Sequence, residues 1–449
     1  MNKINQLTEG DINFSYERLK WDNHITDPQT RQILDDDARF FLHQSMSSPC
    51  LDVLDTCKGS GMQTLSGRKM LDFHGNNVHQ LGYGNGFIIG QITDQMQKLS
   101  FSPRRYTNQP AVELAKKLAG LLPDNLNRSL FAPGGTSAIG MAIKLARLVT
   151  GKHKLVALWD SFHGASLDAI SAGGEAVFKQ YMGPLMPGCI HIPPPTMYRG
   201  ILGRTENDQL KYADYLEYVI EKEGGIGAFL IETIRNTDVQ IPTKAYWKRV
   251  REICTKHGVL LILDEIPIAL GRTGKMFAFE HFGIEPDIIC LGKGLGGGII
   301  PFAAIVARDS YNIANDVSLG HYTHEKSPLG SVAALATLNF IENENILQKV
   351  SGHEQFMRTE LFLMKEHFPL IGDVRGIGLL WGIELVKNHE TKEKACLEAE
   401  IIMYDCMRHG LSFKVSQGNV LQLSPALTIT RDDLQKALAI LTTAFARLS

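Results

Sequence analysis

The segment that decides the fold reads Asp287-Ile-Ile-Cys-Leu-Gly-Lys-Gly-Leu-Gly-Gly-Gly298. Four apolar residues lead to a single lysine, Lys293, which lies among five glycines. A short apolar run bounded by glycine predicts a buried strand. Glycine lets the backbone approach a ligand closely, because it has no side chain. Lys293 is therefore the first candidate for a functional side chain, and it stands at the end of a buried strand.

Similar apolar runs alternate with amphipathic helices through the middle of the chain. The predicted strands are Lys154–Trp159, Gly227–Thr233, Val259–Glu265, Asp287–Leu291 and Ala303–Ala307, and the predicted helices are Gly135–Val149, Leu210–Glu223 and Lys244–His257. Strands that are apolar throughout and separated by helices are typical of a mostly parallel sheet covered on both faces. We therefore predict an α/β fold whose large domain comprises residues 76–330.

The two ends of the chain have a different pattern. The segment 1–75 predicts a helix followed by strands, and the segment 331–449 contains helices and two strand-like runs, Gly378–Leu385 and Asn419–Leu423. We expect the two segments to combine into one smaller α+β domain, with a boundary near Pro328-Leu-Gly330.

Composition excludes several classes of protein. The chain has 449 residues, of which 44% are hydrophobic and 21% charged, and its net charge is −2, so nothing indicates a nucleic-acid-binding surface. Seven cysteines without a CxxC pair argue against a disulfide framework or a zinc site. The first 30 residues lack the layout of a secretion signal, and no apolar run approaches the ~20 residues that span a bilayer. We expect a cytoplasmic protein without a metal, a membrane or a nucleic acid as partner.

Polar or aromatic side chains follow four of the predicted strands. Phe162 comes after the first, Glu232 and Asp264 end the next two, and Lys293 follows the fourth. Ligand sites of open α/β sheets lie at the carboxyl ends of the strands, so these side chains should meet at one edge. Each alone is more often a solvated charge or a core aromatic, and the argument rests on their convergence.

A lysine and a dry carboxylate are what pyridoxal 5′-phosphate (PLP) requires of a protein. The lysine forms the Schiff base, and an acid keeps the pyridinium nitrogen protonated. Asp264 suits the second role, because it ends the apolar run Val259–Leu263. Gly135 and Thr136 open a predicted helix whose N–H groups can bind a phosphate, although a plain helix N-cap is an equal alternative.

The whole pattern resembles class III PLP-dependent aminotransferases. The resemblance is carried by Leu260-Leu-Ile-Leu-Asp-Glu-Ile-Pro-Ile-Ala-Leu-Gly-Arg-Thr-Gly274, by Phe282-Gly-Ile-Glu-Pro-Asp-Ile-Ile-Cys-Leu-Gly-Lys-Gly-Leu-Gly-Gly-Gly298 and by Phe162-His-Gly164, and it extends from about Pro49 to the end. It implies the PLP-dependent transferase fold type I, with a mostly parallel central sheet in a large domain and a small α+β domain. It also implies PLP as cofactor and a homodimer with active sites at the subunit interface.

The resemblance assigns a role to each matching residue. Lys293 would be the Schiff-base lysine and proton shuttle, and Asp264 would pair with the ring nitrogen. Phe162 would stack on the ring, while Gly135 and Thr136 would hold the phosphate.

Thr323, with Pro328 five residues later, also matches the family. It would reach the phosphate of the partner subunit's cofactor.

Departures from the family pattern bear on the reaction. Ile266-Pro267 replaces the usual valine and glutamine after the aspartate-glutamate pair, so a contact to the ring hydroxyl is lost. Gln422 stands where members that use glutamate or 2-oxoglutarate carry an arginine, and Lys414 is the only cation in residues 413–418. A neutral amide cannot replace a bidentate guanidinium on a carboxylate.

These departures favour a lyase, which needs no second substrate with a carboxylate. Within the family, the chain most resembles the (R)-1-hydroxy-2-aminoethylphosphonate ammonia-lyase branch. That resemblance implies elimination from a small vicinal amino alcohol that carries a phosphonate, giving phosphonoacetaldehyde and ammonia. The candidate cations for the phosphonate are Arg235, Arg104, Arg105, Lys326 and Lys414, each of which is singly more often a surface charge.

Two alternatives stay open. The first is an ω-aminotransferase of the same family that uses pyruvate or another small oxo acceptor. The second is a dinucleotide-binding protein, since Gly292-Lys-Gly-Leu-Gly-Gly297 resembles a GxGxxG motif after a strand. This match is weak, because the motif should open a helix and the residues that follow predict a further strand.

Overall fold

The computed structural model describes residues 15–44 and 47–448. The chain forms two compact units, the first of Met1–Asn85, Thr237–Val239 and Gln348–Ser449, the second of Gly86–Asn236 and Gln240–Leu347. The first unit thus combines the two ends of the chain. Both boundaries lie further along the chain than the proposed 75/76 and 330/331. The expectation that the first 30 residues lack the layout of a secretion signal falls partly on residues 1–14, which lie outside the described residues.

Helices and strands are numbered here in chain order. The helices are α1 (Tyr16–His24), α2 (Pro28–Phe40), α3 (Gly86–Lys98), α4 (Gln109–Leu121), α5 (Gly135–Thr150), α6 (Leu167–Ala172), α7 (Ala176–Lys179), α8 (Gln209–Glu223), α9 (Lys244–His257), α10 (Pro328–Asn343), α11 (Ile346–His367), α12 (Cys396–Arg408) and α13 (Arg431–Leu448). The strands are β1 (Leu54–Lys58), β2 (Gly61–Thr64), β3 (Lys69–Asp72), β4 (Leu126–Ala132), β5 (Lys154–Leu158), β6 (Cys189–Ile192), β7 (Ile226–Glu232), β8 (Leu260–Asp264), β9 (Ile288–Leu291), β10 (Ala303–Arg308), β11 (Ile371–Ile377), β12 (Leu380–Leu385), β13 (Leu411–Ser412), β14 (Lys414–Ser416) and β15 (Val420–Leu423).

The second unit is built on a seven-stranded sheet in the order β4-β10-β9-β8-β7-β5-β6. β5, β6, β7, β8 and β9 pair in parallel, whereas β10 runs antiparallel to both of its neighbours. The predicted α/β fold with a mostly parallel sheet is therefore confirmed. All residues of β7, β8 and β9 are buried, which explains why their sequences are apolar throughout.

Local sequence signals explain where the helices of this unit begin and end. Thr243 caps α9 by accepting a hydrogen bond from the Tyr246 N–H at 3.2 Å, and Gly258 ends it with a left-handed φ of 62°. The helix α10 begins at Pro328, directly after the capping residue Ser327. Because α10 packs on α3 and α4, it belongs to the second unit.

The first unit contains two four-stranded sheets, ordered β1-β2-β3-β13 and β11-β12-β15-β14. The predicted strand-like run Gly378–Leu385 begins two residues too early, because β12 begins at Leu380. Gly378 has a φ of 58° and lies in the turn between the antiparallel strands β11 and β12, a conformation that glycine adopts without a Cβ penalty. Among the described residues, no helix is both long and apolar enough to cross a membrane.

Candidate active site

Three neighbouring parallel strands place the central acidic and basic residues at one edge of the sheet. In the strand register Glu232 pairs with Asp264, and Asp264 pairs with Cys290. Lys293 follows Cys290 by three residues and is the first residue of a short 3₁₀ helix, Lys293–Gly296, that comes after β9. Its φ of 47° is left-handed, a conformation that costs energy for a residue other than glycine and often marks a functional site. The strand register thus places Glu232, Asp264 and the 3₁₀ helix that begins at Lys293 at one edge of the sheet, and the convergence of their side chains stays a prediction.

Asp264 is the buried acid of this edge, with 2% of its surface exposed. Its Oδ2 lies 2.8 Å from Nδ1 of His163, and its Oδ1 accepts a hydrogen bond from the Ile266 N–H at 3.1 Å. In such a dry environment a carboxylate interacts strongly with a cationic partner. His163 is also buried, and its Nε2 has no hydrogen-bond partner among the described residues.

His163 was named from the sequence only as part of the motif Phe162-His-Gly164, with no role. The available signal was its position next to Phe162, on the loop that follows β5.

Glu232 holds that loop from the neighbouring strand. Its Oε1 accepts a hydrogen bond from the Phe162 N–H at 3.2 Å, and its Oε2 accepts one from the Asn236 N–H at 3.0 Å. Burial raises the pKa of Glu232 above its ordinary value. The ring of Phe162 contacts that of Phe178, with 4.6 Å between the centroids. Glu232 therefore fixes the backbone from which the Phe162 ring projects.

The start of α5 is open to an anion. Its N-cap is Gly134, which has no side chain to occupy the N–H groups of the first turn. A methyl group on Gly135 would lie 2.9 Å from Cδ1 of Ile266, and one on Gly292 would lie 3.2 Å from its Cγ2. The Ile266 side chain thus contacts both the helix start and the residue before Lys293. Sequence reasoning treated Ile266 only as a departure from the family pattern.

These residues fit PLP. The N–H groups at the start of α5 suit a phosphate, and the buried Asp264 suits a protonated pyridine nitrogen. Because residues 135 and 292 are glycines, their backbone can lie close to the Ile266 side chain. A Cβ atom at either position would press against that side chain. The half-exposed ring of Phe162 offers an aromatic face at the same edge. The individual roles of Lys293, Asp264, Phe162, Gly135 and Thr136 stay predictions.

Two further predicted cofactor residues have these surroundings. The Thr136 Oγ1 lies 2.8 Å from the Ser166 Oγ, so this hydroxyl already has a hydrogen-bond partner within the chain. Thr323 is exposed in the segment before α10. Its reach toward a partner subunit stays a prediction.

The predicted substrate cations have separate environments. Arg235 forms a buried ion pair with Glu175, with 3.0 Å between Nη2 and Oε1. Arg104 donates a hydrogen bond from Nη1 to the His321 carbonyl at 2.9 Å. Lys414 lies in the first unit, on β14, opposite Gln422 in the strand register. Glu175 and the His321 carbonyl, which Arg235 and Arg104 contact, are groups of the protein, and the roles of all three cations as substrate ligands stay predictions.

One cluster elsewhere has the composition of a metal site, formed by Glu217, Glu221 and His257. Glu217 Oε1, however, accepts hydrogen bonds from Lys256 Nζ at 2.8 Å and from His257 Nε2 at 3.0 Å. These donors lower the pKa of Glu217 to about 2. The Glu217 carboxylate of this cluster is therefore accounted for by its ion pairs with Lys256 and His257.

Comparison of the chain with known proteins agrees with this geometry. The sequence model of the family described as aminotransferase class-III matches residues 44–445. The (R)-1-hydroxy-2-aminoethylphosphonate ammonia-lyase of Vibrio splendidus (strain 12B01) is 57% identical, over 98% of this chain and 95% of its own length. The isoleucine 2-epimerase of Lentilactobacillus buchneri is 31% identical, over 92% of this chain and 94% of its own length.

A solved structure shares the fold. The amine transaminase of an uncultivated Pseudomonas species, in its PLP-bound form, superimposes with a TM-score of 0.85 at 29% identity and covers 91% of this chain and 99% of its own. The predicted fold type I and the predicted cofactor class are thereby confirmed.

Proposed function

The chain belongs to the class-III aminotransferase family, and we propose that it is a PLP-dependent ammonia-lyase acting on (R)-1-hydroxy-2-aminoethylphosphonate. The observation that carries the proposal is the 57% identity with the ammonia-lyase of that name over nearly the whole of both chains. Family membership alone supports only the broader alternative, an aminotransferase with pyruvate or another small oxo acceptor.

The reaction needs one substrate and returns to its starting point without an acceptor. Loss of a proton from the carbon that bears nitrogen, and of the hydroxyl from the neighbouring carbon, leaves an enamine. Hydrolysis of the enamine gives phosphonoacetaldehyde and ammonia. The water lost in the first step is regained in the second, so atoms balance without an oxo acid.

When bound, PLP supplies an electron-accepting ring that stabilises negative charge on the carbon that loses its proton. The Nζ atom of Lys293 takes that proton and can return one to the departing hydroxyl. Asp264 holds a proton on the ring nitrogen through its buried carboxylate. His163 keeps this carboxylate in place through the contact at 2.8 Å.

The residue at position 422 supports a lyase over a glutamate-dependent transaminase. Gln422 is fully buried on β15, where it is a neutral amide. A carboxylate in a dry site requires a charge-assisted partner, and an arginine supplies two parallel hydrogen bonds that an amide cannot. We therefore propose that 2-oxoglutarate is not an acceptor for this protein.

Two substrates that differ by one hydroxyl test the proposal. The purified holoenzyme should consume (R)-1-hydroxy-2-aminoethylphosphonate alone. It should leave 2-aminoethylphosphonate unchanged, because that compound has no hydroxyl to eliminate. A transaminase would instead consume 2-aminoethylphosphonate when pyruvate is added and form alanine from the pyruvate. Alanine formation at a rate equal to substrate loss would establish the alternative.

We further propose a homodimer with active sites at the subunit interface, located in the cytoplasm. Exposed apolar side chains of the second unit, such as Phe87, Ile89 and Met96 on α3, support a partner surface. The seven cysteines are free thiols, which suits a reducing compartment. Sedimentation equilibrium should give twice the mass of one chain.

A further inference from the structure

We propose that Asp168 is a positioning residue which, through Ser166, directs the Thr136 hydroxyl away from the cofactor phosphate and ties the start of α5 to the loop that carries Phe162 and His163. Thr136 would then bind phosphate only through its backbone N–H. The proposal concerns the cofactor site and holds whichever reaction the protein catalyses.

Counting hydrogen-bond protons along the three side chains fixes their direction. Ser166 donates its hydroxyl proton to Asp168 Oδ1, because an ionised carboxylate can only accept. A hydroxyl has one proton, so Ser166 has none left for Thr136. In the 2.8 Å contact between the two hydroxyls, Thr136 must therefore be the donor. We call this arrangement the Thr136–Ser166–Asp168 chain.

The remaining hydrogen bonds of these residues agree with that direction. The Thr136 Oγ1 accepts a hydrogen bond from the Ser166 N–H at 3.2 Å, which uses one of its lone pairs. Ser166 is the N-cap residue of α6, yet its side chain makes no capping hydrogen bond. Asp168 Oδ1 also accepts from the Ala169 N–H at 2.9 Å, which holds the carboxylate in place.

Two glycines allow the elements joined by the chain to approach each other. A methyl group on Gly164 would collide with the Thr136 side chain, and Gly164 has a left-handed φ of 129°. A methyl group on Gly140, in the second turn of α5, would collide with Asp168 Oδ2. The loop after β5 and the first turns of α5 are thus in direct contact where the chain forms.

The consequence concerns the cofactor. A phosphate oxygen only accepts hydrogen bonds, and the single proton of the Thr136 hydroxyl is already donated to Ser166. In the proposed assignment the start of α5 would hold the phosphate, whereas Phe162 and His163 would lie at the ring. The Thr136–Ser166–Asp168 chain therefore sets the spacing between the two ends, and Asp168 acts on the cofactor without touching it.

A double-mutant cycle on cofactor affinity tests this inference. PLP would be titrated into the full-length apoenzyme of Thr136→Val, Asp168→Ala and the double variant, and the Kd read from quenching of tryptophan fluorescence. Each single variant should raise the Kd by roughly 3- to 10-fold, the cost of one hydrogen bond. The Kd of the double variant for PLP should be no higher than that of the weaker-binding single variant, because both changes break the same Thr136–Ser166–Asp168 chain.

Other variants control for folding and for loss of an acid. Ser166→Ala should raise the Kd to the same extent as Asp168→Ala, which keeps the test usable if Asp168→Ala does not fold. Asp432→Asn removes an exposed first-turn acid from α13 and should leave the Kd unchanged. Thr136→Ser keeps the hydroxyl and should restore binding to within about twofold.

The opposite pattern would overturn the inference. If Thr136 donated directly to the phosphate, Thr136→Val would weaken binding while Asp168→Ala and Ser166→Ala would not. Multiplied effects in the double variant would likewise show that the two residues act separately. Because no amine substrate is present, failure here leaves the proposed lyase reaction untouched, and failure of that reaction leaves this test unaffected.

Discussion

Lys293 and Asp264 differ in how their positions are stabilised. Asp264 is held by two hydrogen bonds at the end of a buried strand, so its carboxylate has one orientation. Lys293 begins the short 3₁₀ helix that follows its strand, with Gly292 and Gly294 on either side. A fixed acid and a movable amine are what the proposed chemistry needs, since only the amine has to exchange partners.

Removal of the Lys293 amine should strongly slow turnover. We expect Lys293→Ala to lose activity by a factor on the order of 10² to 10⁴, because it lacks the group that moves the proton. Borohydride reduction of the wild-type holoenzyme should leave a pyridoxyl group on the peptide that contains Lys293, read by mass spectrometry. Lys211→Ala, an exposed control on α8, should keep both properties. A pyridoxyl group on any other lysine would contradict the assignment.

Glu265, the neighbour of Asp264, makes stability depend on pH. It is fully buried, and burial raises its pKa from 4.5 to about 7, although Thr233, Ala278 and Phe279 donate hydrogen bonds to its carboxylate. At a pH below 4.5 the group is protonated in the folded and the unfolded chain, and it adds no penalty. As the pH rises toward 7 the unfolded chain ionises first, so the folded state loses stability.

Glu265→Gln removes this titration. The free energy of unfolding of the wild type, minus that of Glu265→Gln, should fall by about 2 kcal/mol between about pH 5 and about pH 8. Urea unfolding at each pH measures the difference. Glu206→Gln, an exposed control, should show a constant difference. A difference that rises with pH would contradict the assigned direction.

Individual residues could be placed from the sequence most reliably where a side chain ends a strand. Asp264 and Glu232 were placed at one edge because parallel strands end together, and the strand register agrees. Asp168 and Glu175 were missed because Asp168 is linked to Thr136 through its near neighbour Ser166, and Glu175 pairs with Arg235. Thr136 and Arg235 come close to these acids only through tertiary packing. No spacing along the chain indicates the contact between Glu175 and Arg235.

At the scale of helices and strands, the features with a local cause were predictable from the sequence, and those with a tertiary cause were not. The helix Lys244–His257 was predicted with the bounds that the structure has, because Thr243 and Gly258 mark its ends. The antiparallel direction of β10 was not predicted, since an apolar run reads the same in either direction. The edge strands β4 and β6 were missed because neither is a continuous apolar run: β4 contains Asn127, Arg128 and Ser129, and β6 has only four residues, one of them His191.

Two glycines of different elements should respond in opposite ways to alanine. A methyl group on Gly174 would collide with the backbone of Leu158 and Asp160, which cannot move without distorting β5 and the loop after it. Gly174→Ala should therefore lower the free energy of unfolding by about 1–3 kcal/mol. Gly352 lies exposed in α11 with open space around it, so Gly352→Ala should raise that free energy by about 0.5–1 kcal/mol. Equal stability of the two variants in urea unfolding would contradict this reading of the loop.

At the scale of the whole molecule, the fold was predictable and the reaction only partly so. Alternation of buried strands with helices indicates the sheet, and the strand ends indicate where a cofactor binds. The choice between elimination and amine transfer depends on a departure from the family pattern, glutamine in place of arginine at position 422, and on the resemblance of the entire chain. No single strand or motif therefore determines from the sequence which of the two reactions the protein catalyses.

The central claim is that one amine substrate suffices for many turnovers. The most direct measurement is the amount of ammonia released per subunit when holoenzyme is incubated with (R)-1-hydroxy-2-aminoethylphosphonate and no oxo acid. The account predicts ammonia far in excess of the subunits, with an equal amount of phosphonoacetaldehyde. Release that stops at one equivalent per subunit, and resumes only when pyruvate is added, would contradict it.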